Sequence, residues 1–263
     1  MSQVDDPRNR VDSSVPHSAR VWNHWVGGKD NYAVDRELAE QVRESFPEIV
    51  DIARADRAFL ARAVRYLVTE AGVRQFLDIG TGLPTADNTH EIAQRLDPGA
   101  RVVYVDNDPL VLTHARALLT GTAGCTDYLD ADVTDPDEVL RRAAEKLDFE
   151  QPVAVMLLQM LGHIPDKRDA KAIVQRIMAA LPSGSHLVVS DTLDTNPAYV
   201  AGTARFSAGA SAPYVLHSPH EIDAYFEGLD LVAPGPVPTA HWRPDEHTPT
   251  TPLDDRAAIG RKP

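Results

Sequence analysis

Several things are scarce in this sequence. Cysteine occurs once in 263 residues, as Cys125, which excludes an intramolecular disulfide framework and any zinc site built on several thiolates. The longest apolar run, 153–158 (V-A-V-M-L-L), falls far short of the ~20 residues needed to span a bilayer. Basic residues are outnumbered, 26 Lys and Arg against 39 Asp and Glu, for a formal net charge of −13 with no basic patch to interrupt the excess. Such a surface repels phosphate backbones and anionic headgroups, so neither nucleic acid nor a membrane surface is an expected partner. The first ten residues are polar and charged and hold no apolar export segment, so a cytoplasmic location is the expectation. What is present is ordinary: 43% hydrophobic residues are enough for a packed core and exclude wholesale disorder.

The length allows one domain or two small ones, and neither a linker nor a repeat divides the chain. Residues 1–17 and 245–263, rich in Pro and charge without periodicity, read as tails around one block, 18–244. Within it, strand and helix patterns alternate, as in a parallel sheet with crossover helices. A helix is predicted over 51–71, where Phe59, Leu60, Ala63, Val64, Leu67 and Val68 form one stripe. Strands follow at 75–79, 101–105, 126–129, 153–158 and 186–190. Helices are predicted at 85–96, 109–119, 135–147 and 166–181, two of them opened by Asp-Pro pairs at Asp108-Pro109 and Asp135-Pro136. The run 153–158 is apolar on both faces and is expected to be central. Residues 191–217 break the rhythm, as an insertion covering a site does. A helix at 219–227 and two strands at 229–233 and 237–242 complete five βα units and a terminal pair.

Three acids fall at the ends of the first three strands: Asp78, Asp106 and Asp132. In an open parallel sheet, ligands bind outside those ends. The turn Gly80-Thr81-Gly82 lets backbone approach a ligand closely, and an acid one βαβ step later, Asp106, is placed to accept ribose hydroxyls. The turn does not complete a dinucleotide fingerprint, because G-T-G-L-P-T puts Thr85 where a small third residue is wanted and Pro84 removes an N–H donor. Asp78 would also repel a pyrophosphate. A nucleoside with a cationic amino-acid end suits the same carboxylate, and S-adenosyl-L-methionine fits that description.

The residues 19–32 (A-R-V-W-N-H-W-V-G-G-K-D-N-Y), 75–85 (Q-F-L-D-I-G-T-G-L-P-T), 102–109 (V-V-Y-V-D-N-D-P), 130–136 (D-A-D-V-T-D-P) and 234–245 (P-G-P-V-P-T-A-H-W-R-P-D) together resemble the class I, Rossmann-like S-adenosylmethionine-dependent methyltransferases. The likeness is closest to a small methyltransferase-like family long catalogued as a domain of unknown function. The resemblance implies an α/β fold, a three-layer α/β/α sandwich with a seven-stranded, mostly parallel sheet, and methyl transfer from S-adenosyl-L-methionine to a small molecule. It implies that Asp78, Gly80, Thr81 and Gly82 surround the methionine part, that Asp106 holds the ribose, and that Asn107, Asp132 and Val133 flank the adenine. The segment 18–50, with Lys29 and Asn31, is expected to fold over the cofactor.

Gln159 stands where cofactor or acceptor would pass, and His163, just beyond strand four, is the candidate general base; a loop histidine with a satisfied hydrogen bond is the plainer alternative. Trp22, Trp25 and 159–165 depart from the family pattern, which leaves the acceptor open. Asp108 reads as a helix cap, Cys125 as chemically silent, and no histidine pair has metal-ligand spacing, so no metal is expected. Two rival readings stay open: a protein that binds the cofactor without transferring methyl, and a nicotinamide-dependent oxidoreductase. The acids Asp78, Asp106, Asp108, Asp130 and Asp132 share one sheet edge, which should favour the cationic cofactor over its uncharged-sulfur product.

Overall fold

The alternating pattern folds into strands β1 (Gln75–Ile79), β2 (Arg101–Asp106), β3 (Thr126–Asp130), β4 (Val153–Leu158), β5 (His186–Thr192), β6 (Asp230–Leu231) and β7 (Asp255–Arg261). Between and before them lie helices α1 (Ser18–Trp25), α2 (Ala33–Ser45), α3 (Ile49–Thr69), α4 (Thr89–Leu96), α5 (Pro109–Leu118), α6 (Pro136–Ala143), α7 (Lys167–Ala179), α8 (Pro197–Gly209) and α9 (Pro219–Ala224). The computed structural model describes residues 12–85, 87–118, 125–246, 248 and 251–263. One sheet runs in the order β3-β2-β1-β4-β5-β7-β6. Strands β1 to β5 pair in parallel, and β7 is antiparallel to both its neighbours.

Side chains alternate across the strands and build a core on each face. Leu77, Ile79, Val103, Val105, Val155 and Leu157 pack on the side of α6, α7 and α9. Phe76, Val102, Tyr104, Ala154 and Met156 pack against α3 and α4. Because β1 is covered on both faces, all five of its residues are buried, as a central parallel strand requires. A third cluster joins Val21 and Trp25 of α1, Leu38 and Val42 of α2, and Phe46 to Tyr199 and Phe206 of α8. Phe46 and Tyr199 stack with ring centroids 4.3 Å apart, which fastens α8 to the N-terminal helices above the strand ends.

Several boundaries differ from the sequence reading. Helix α4 begins at Thr89 and not at 85, because Asn88 and Glu91 form a capping box and Asp87 takes a left-handed φ of 57°, which no helix continues through. The expected tail at 245–263 contains β7, the longest antiparallel partner of the sheet. Its Ala257, Ala258 and Ile259 are fully buried, Arg256 makes a two-point ion pair with Asp223, and Asp255 accepts the Thr239 N–H. The small residues Ala-Ala-Ile-Gly carry little β signal, yet size is what the site demands: a Cβ on Gly260 would lie 2.8 Å from the Phe226 ring. The strand expected at 237–242 is a single bridge from Val237 to Ala257 followed by a 3₁₀ turn, Thr239–His241. Of the expected N-terminal tail, residues 1–11 lie outside the described residues, and the rest is tied down where Arg20 donates to the carbonyls of Asp12 and Val15 at 3.0 and 2.8 Å. Residue 119, the predicted end of its helix, also lies outside the described residues. Among the described residues no helix is long and apolar enough to cross a membrane.

Candidate active site

The strand order reverses between β1 and β4, and the crevice beyond that switch point is where an open α/β sheet binds ligands. A cavity of about 350 Å³ lies there, at the lower end of the ~300–1,000 Å³ usual for small-molecule sites. One half of its wall is the expected constellation: Asp78, Gly80, Thr81, Gly82, Asp106, Asn107, Asp132 and Val133 all line it. The other half comes from α1, α3, α8 and the turn after β4, including Gln159 and His163.

Local geometry explains how the chain holds the first half. Gly80 and Gly82 adopt φ of 74° and 66°, a left-handed region that costs a residue with a Cβ roughly 1–2 kcal/mol. A Cβ on Gly80 would meet Met160 Cγ at 2.4 Å, whereas one on Gly82 would meet nothing within 4 Å. Gly80 is therefore fixed by packing, and Gly82 leaves open room. The Gly82 N–H donates to Asp106 Oδ2 at 2.8 Å and the Asp108 N–H to Asp106 Oδ1 at 2.9 Å, so one carboxylate ties the glycine turn to the start of α5. Asp78 is buried and accepts the Thr89 hydroxyl at 2.6 Å; burial pushes its carboxyl up to about 6. Burial likewise raises Asp106, against the two backbone N–H bonds. Burial is the largest single influence on Asp108 and raises it, but the bond and charge of His17, 2.9 Å away, the Leu110 N–H and the Arg20 charge together hold that carboxyl below the usual range. Asp132 is exposed, accepts from the Thr134 N–H and hydroxyl at 2.9 and 2.7 Å, and receives the Asn107 amide at 3.3 Å.

Lys29 and Asn31 are not brought to the cavity. Lys29 is exposed, and the Asn31 amide is spent locally on Asn23 Oδ1 and the Gly28 carbonyl. The N-terminal segment reaches the site instead through His17, Ser18, Ala19, Trp22 and Trp25. His163 closes a 3₁₀ turn, Leu161–His163, with its ring edge-on to Tyr214 and Nδ1 3.0 Å from the Pro213 carbonyl. A donated Nδ1–H leaves the lone pair on Nε2, and burial lowers the imidazole's basicity.

Sequence reasoning missed Asp56, Arg57, Tyr199, Thr203, Phe206 and Tyr214, which also line the cavity. For Asp56 a signal existed, since it interrupts the apolar stripe of α3 between Ile52 and Leu60, where a carboxylate needs a reason. The 210–217 residues have no such periodicity.

A glycine turn at the switch point, an acid ending β2 and this strand order define the class: a Rossmann-like, S-adenosylmethionine-dependent methyltransferase. The chain belongs to the S-adenosyl methyltransferase family, whose model matches residues 4–263. It is similar to a DUF574 family protein from Streptomyces avermitilis at 41% identity and a TM-score of 0.91, over 96% of this chain and 99% of that one. A Thermobifida fusca protein is 40% identical with a TM-score of 0.90, over 99% of each chain. The N-methyltransferase NodS of Bradyrhizobium japonicum, in complex with S-adenosyl-L-homocysteine, shares the fold at 16% identity and a TM-score of 0.52, over 87% of this chain and 97% of that one. Comparison with curated proteins finds no match. Neither the nicotinamide reading nor the non-methylating one gains support from these likenesses.

The residues present fit the cofactor. Carboxyl oxygens of Asp106 have capacity beyond their two backbone bonds, Gly82 has open space above it, and the acids Asp78, Asp106 and Asp132 line the cavity. Arg57 supplies a cation on the same wall.

Proposed function

We propose that the cavity is the site of methyl transfer to a small molecule, with Asp106 bonding the ribose hydroxyls and Asn107, Asp132 and Val133 beside the adenine. Gly80, Thr81, Gly82 and Asp78 take the methionine end, and Arg57 its carboxylate. The observation that carries this reading is the Asp106 carboxylate, locked by Gly82 and Asp108 at the switch-point crevice. When bound, the cofactor supplies an electrophilic methyl group on a cationic sulfur. The protein's own contribution is to bury both reactants under α1, α2 and α8 and to fix their approach, an effect that can be worth roughly 7 to 11 kcal/mol.

Of two candidate proton acceptors on the wall, burial raises the Asp56 carboxyl to about 7 and lowers the basicity of His163. A cavity of about 350 Å³ roofed by packed helices supports a small acceptor over a macromolecular one, and the −13 charge argues against a polyanion. Incubating the protein with methyl-labelled cofactor and fractionated bacterial extract tests this. Label in the small-molecule fraction is expected; label confined to protein or nucleic acid would overturn it.

A further inference from the structure

The half of the cavity between α3, the end of β4 and the segment after α8 holds polar groups that the cofactor does not need. Asp56 is 4% exposed and faces the cavity. Its Oδ1 accepts the Ser190 hydroxyl from β5. Beside it stands Gln159, 9% exposed, with a left-handed φ of 52°, a strained conformation for a residue with a Cβ and one that clusters at functional sites. Its Oε1 lies 3.2 Å from the Tyr214 hydroxyl oxygen. Tyr214 is itself held by the buried Asp191 carboxylate and by two bonds with the Ser207 hydroxyl at 2.9 Å. The Gln159 Nε2 is buried with no partner in good hydrogen-bond geometry. The amide lies beside the Asp56 carboxyl, and its polar contact there lowers that carboxyl's pKa against the effect of burial. A buried amide donor short of a well-formed hydrogen bond and a buried carboxyl therefore share one wall, a costly arrangement unless a ligand completes it.

We infer that Asp56 and Gln159 together receive a hydroxyl group of the methyl acceptor, carried on an aromatic ring, with Asp56 taking its proton and the Gln159 N–H bonding to its oxygen. This rests on reading the cavity as the methyl-transfer site. A hydroxyl satisfies both groups at once: its O–H donates to Asp56, one lone pair accepts from Gln159, and another remains to attack carbon. A neutral amine has a single lone pair, which Gln159 would occupy and remove from reaction. In the step itself, the acceptor oxygen forms a bond to the methyl carbon while the sulfur–methyl bond breaks with its electron pair left on sulfur. The O–H bond breaks with its proton passing to Asp56 and from there to solvent, so the products are a methyl ether and the uncharged thioether.

The aromatic ring follows from the walls and from acidity. Trp22, Trp25, Tyr199, Phe206 and Tyr214 surround this half. Burial, the largest influence, pushes the Asp56 carboxyl up to about 7, within reach of a phenolic hydroxyl near 10 and far from an aliphatic one near water's ~16. His163 offers one nitrogen and no paired donor, and its ring serves as wall beside Tyr214.

Calorimetry on the protein saturated with S-adenosyl-L-homocysteine tests the inference with a shape-matched pair, 2-naphthol and 2-naphthylamine. Saturation itself is measured first: failure to bind the homocysteine overturns the underlying site reading and the inference with it. Given saturation, the naphthol should bind about tenfold or more tightly than the amine. Asp56→Asn and Gln159→Leu should each bring the two within a few-fold while leaving homocysteine binding near wild type, and His163→Asn should preserve the preference. Gln159→Leu keeps the test decisive if Asp56→Asn does not fold. Equal or tighter binding of the amine, a preference that survives both variants, or no binding of the naphthol would overturn it.

Discussion

Replacing Asp106 by alanine separates two roles that one carboxylate plays. Its two oxygens accept backbone N–H groups from Gly82 and Asp108 at 2.8 and 2.9 Å, and each oxygen retains capacity for one ribose hydroxyl. Hydrogen bonds to a charged group contribute about 1.5–3 kcal/mol each, so losing two costs about 3–6 kcal/mol of cofactor binding. At about 1.4 kcal/mol per tenfold, the dissociation constant should rise by roughly 10²- to 10⁴-fold. Stability should fall as well, because two N–H groups lose their acceptor at about 1–3 kcal/mol each when buried, partly offset because a carboxyl disfavoured by burial is removed. Asp106→Asn, which keeps one acceptor oxygen, should lose less stability while still binding weakly. Calorimetric titration with S-adenosyl-L-homocysteine, run well below each variant's unfolding midpoint and with circular dichroism to establish the fold, gives both quantities. A folded Asp106→Ala protein that binds at wild-type affinity would refute the ribose role.

Other perturbations read other parts of the account. Gly80→Ala should destabilise more than Gly82→Ala in urea unfolding, since both need a left-handed backbone but only Gly80 would press a Cβ on Met160 at 2.4 Å; equal losses would contradict the packing role. Burial holds the Asp56 carboxyl near 7, so between about pH 4 and 7 the folded chain keeps a proton there that the unfolded chain has lost. That contribution to stability is full below the unfolded value and disappears as pH rises through about 7. Asp56→Asn should therefore gain relative to wild type from pH 5 to pH 8, by up to about 3 kcal/mol for the two units from pH 5 to 7 at about 1.4 kcal/mol each, in paired denaturant titrations in which the histidines cancel; a constant difference would contradict it. Tyr214→Phe should lower stability by about 1–3 kcal/mol, because the buried Asp191 carboxylate loses a donor. The acidic strand ends should make S-adenosyl-L-methionine bind more tightly than its homocysteine product at low salt, with the gap closing as salt is added; equal affinities would count against that electrostatic role.

Much of the parallel sheet was legible because each strand is a short apolar run closed by Gly, Pro or a capping acid. The bounds of β1 and β4 match the pattern, and Asp135 and Ser218 cap α6 and α9 as their side chains predict. The cofactor half of the site follows from the same regularity, since strand ends place Asp78, Asp106 and Asp132 at one edge. The other half did not show, for two physical reasons. Strand β7 is built from small residues whose place is dictated by Phe226 and Leu229 packing on Gly260, a tertiary demand with no local periodicity. The acceptor wall is assembled from α1, α3, α8 and residues near Tyr214, which are distant in sequence and meet only through contacts such as Phe46 on Tyr199. Lys29 and Asn31 show the converse error: a Gly-Gly-Lys-Asp-Asn run suggests a ligand loop, but the Asn23, Gly28 and Asn31 bonds make it a self-contained turn.

The most direct test of the central claim is a crystal structure of the protein with S-adenosyl-L-homocysteine. The account predicts ribose hydroxyls on the Asp106 carboxylate, the adenine beside Asn107 and Asp132, and the sulfur facing the chamber walled by Gln159 and Asp56. Density for the homocysteine outside the β1–β4 crevice, or within it but with Asp106 unengaged, would contradict it.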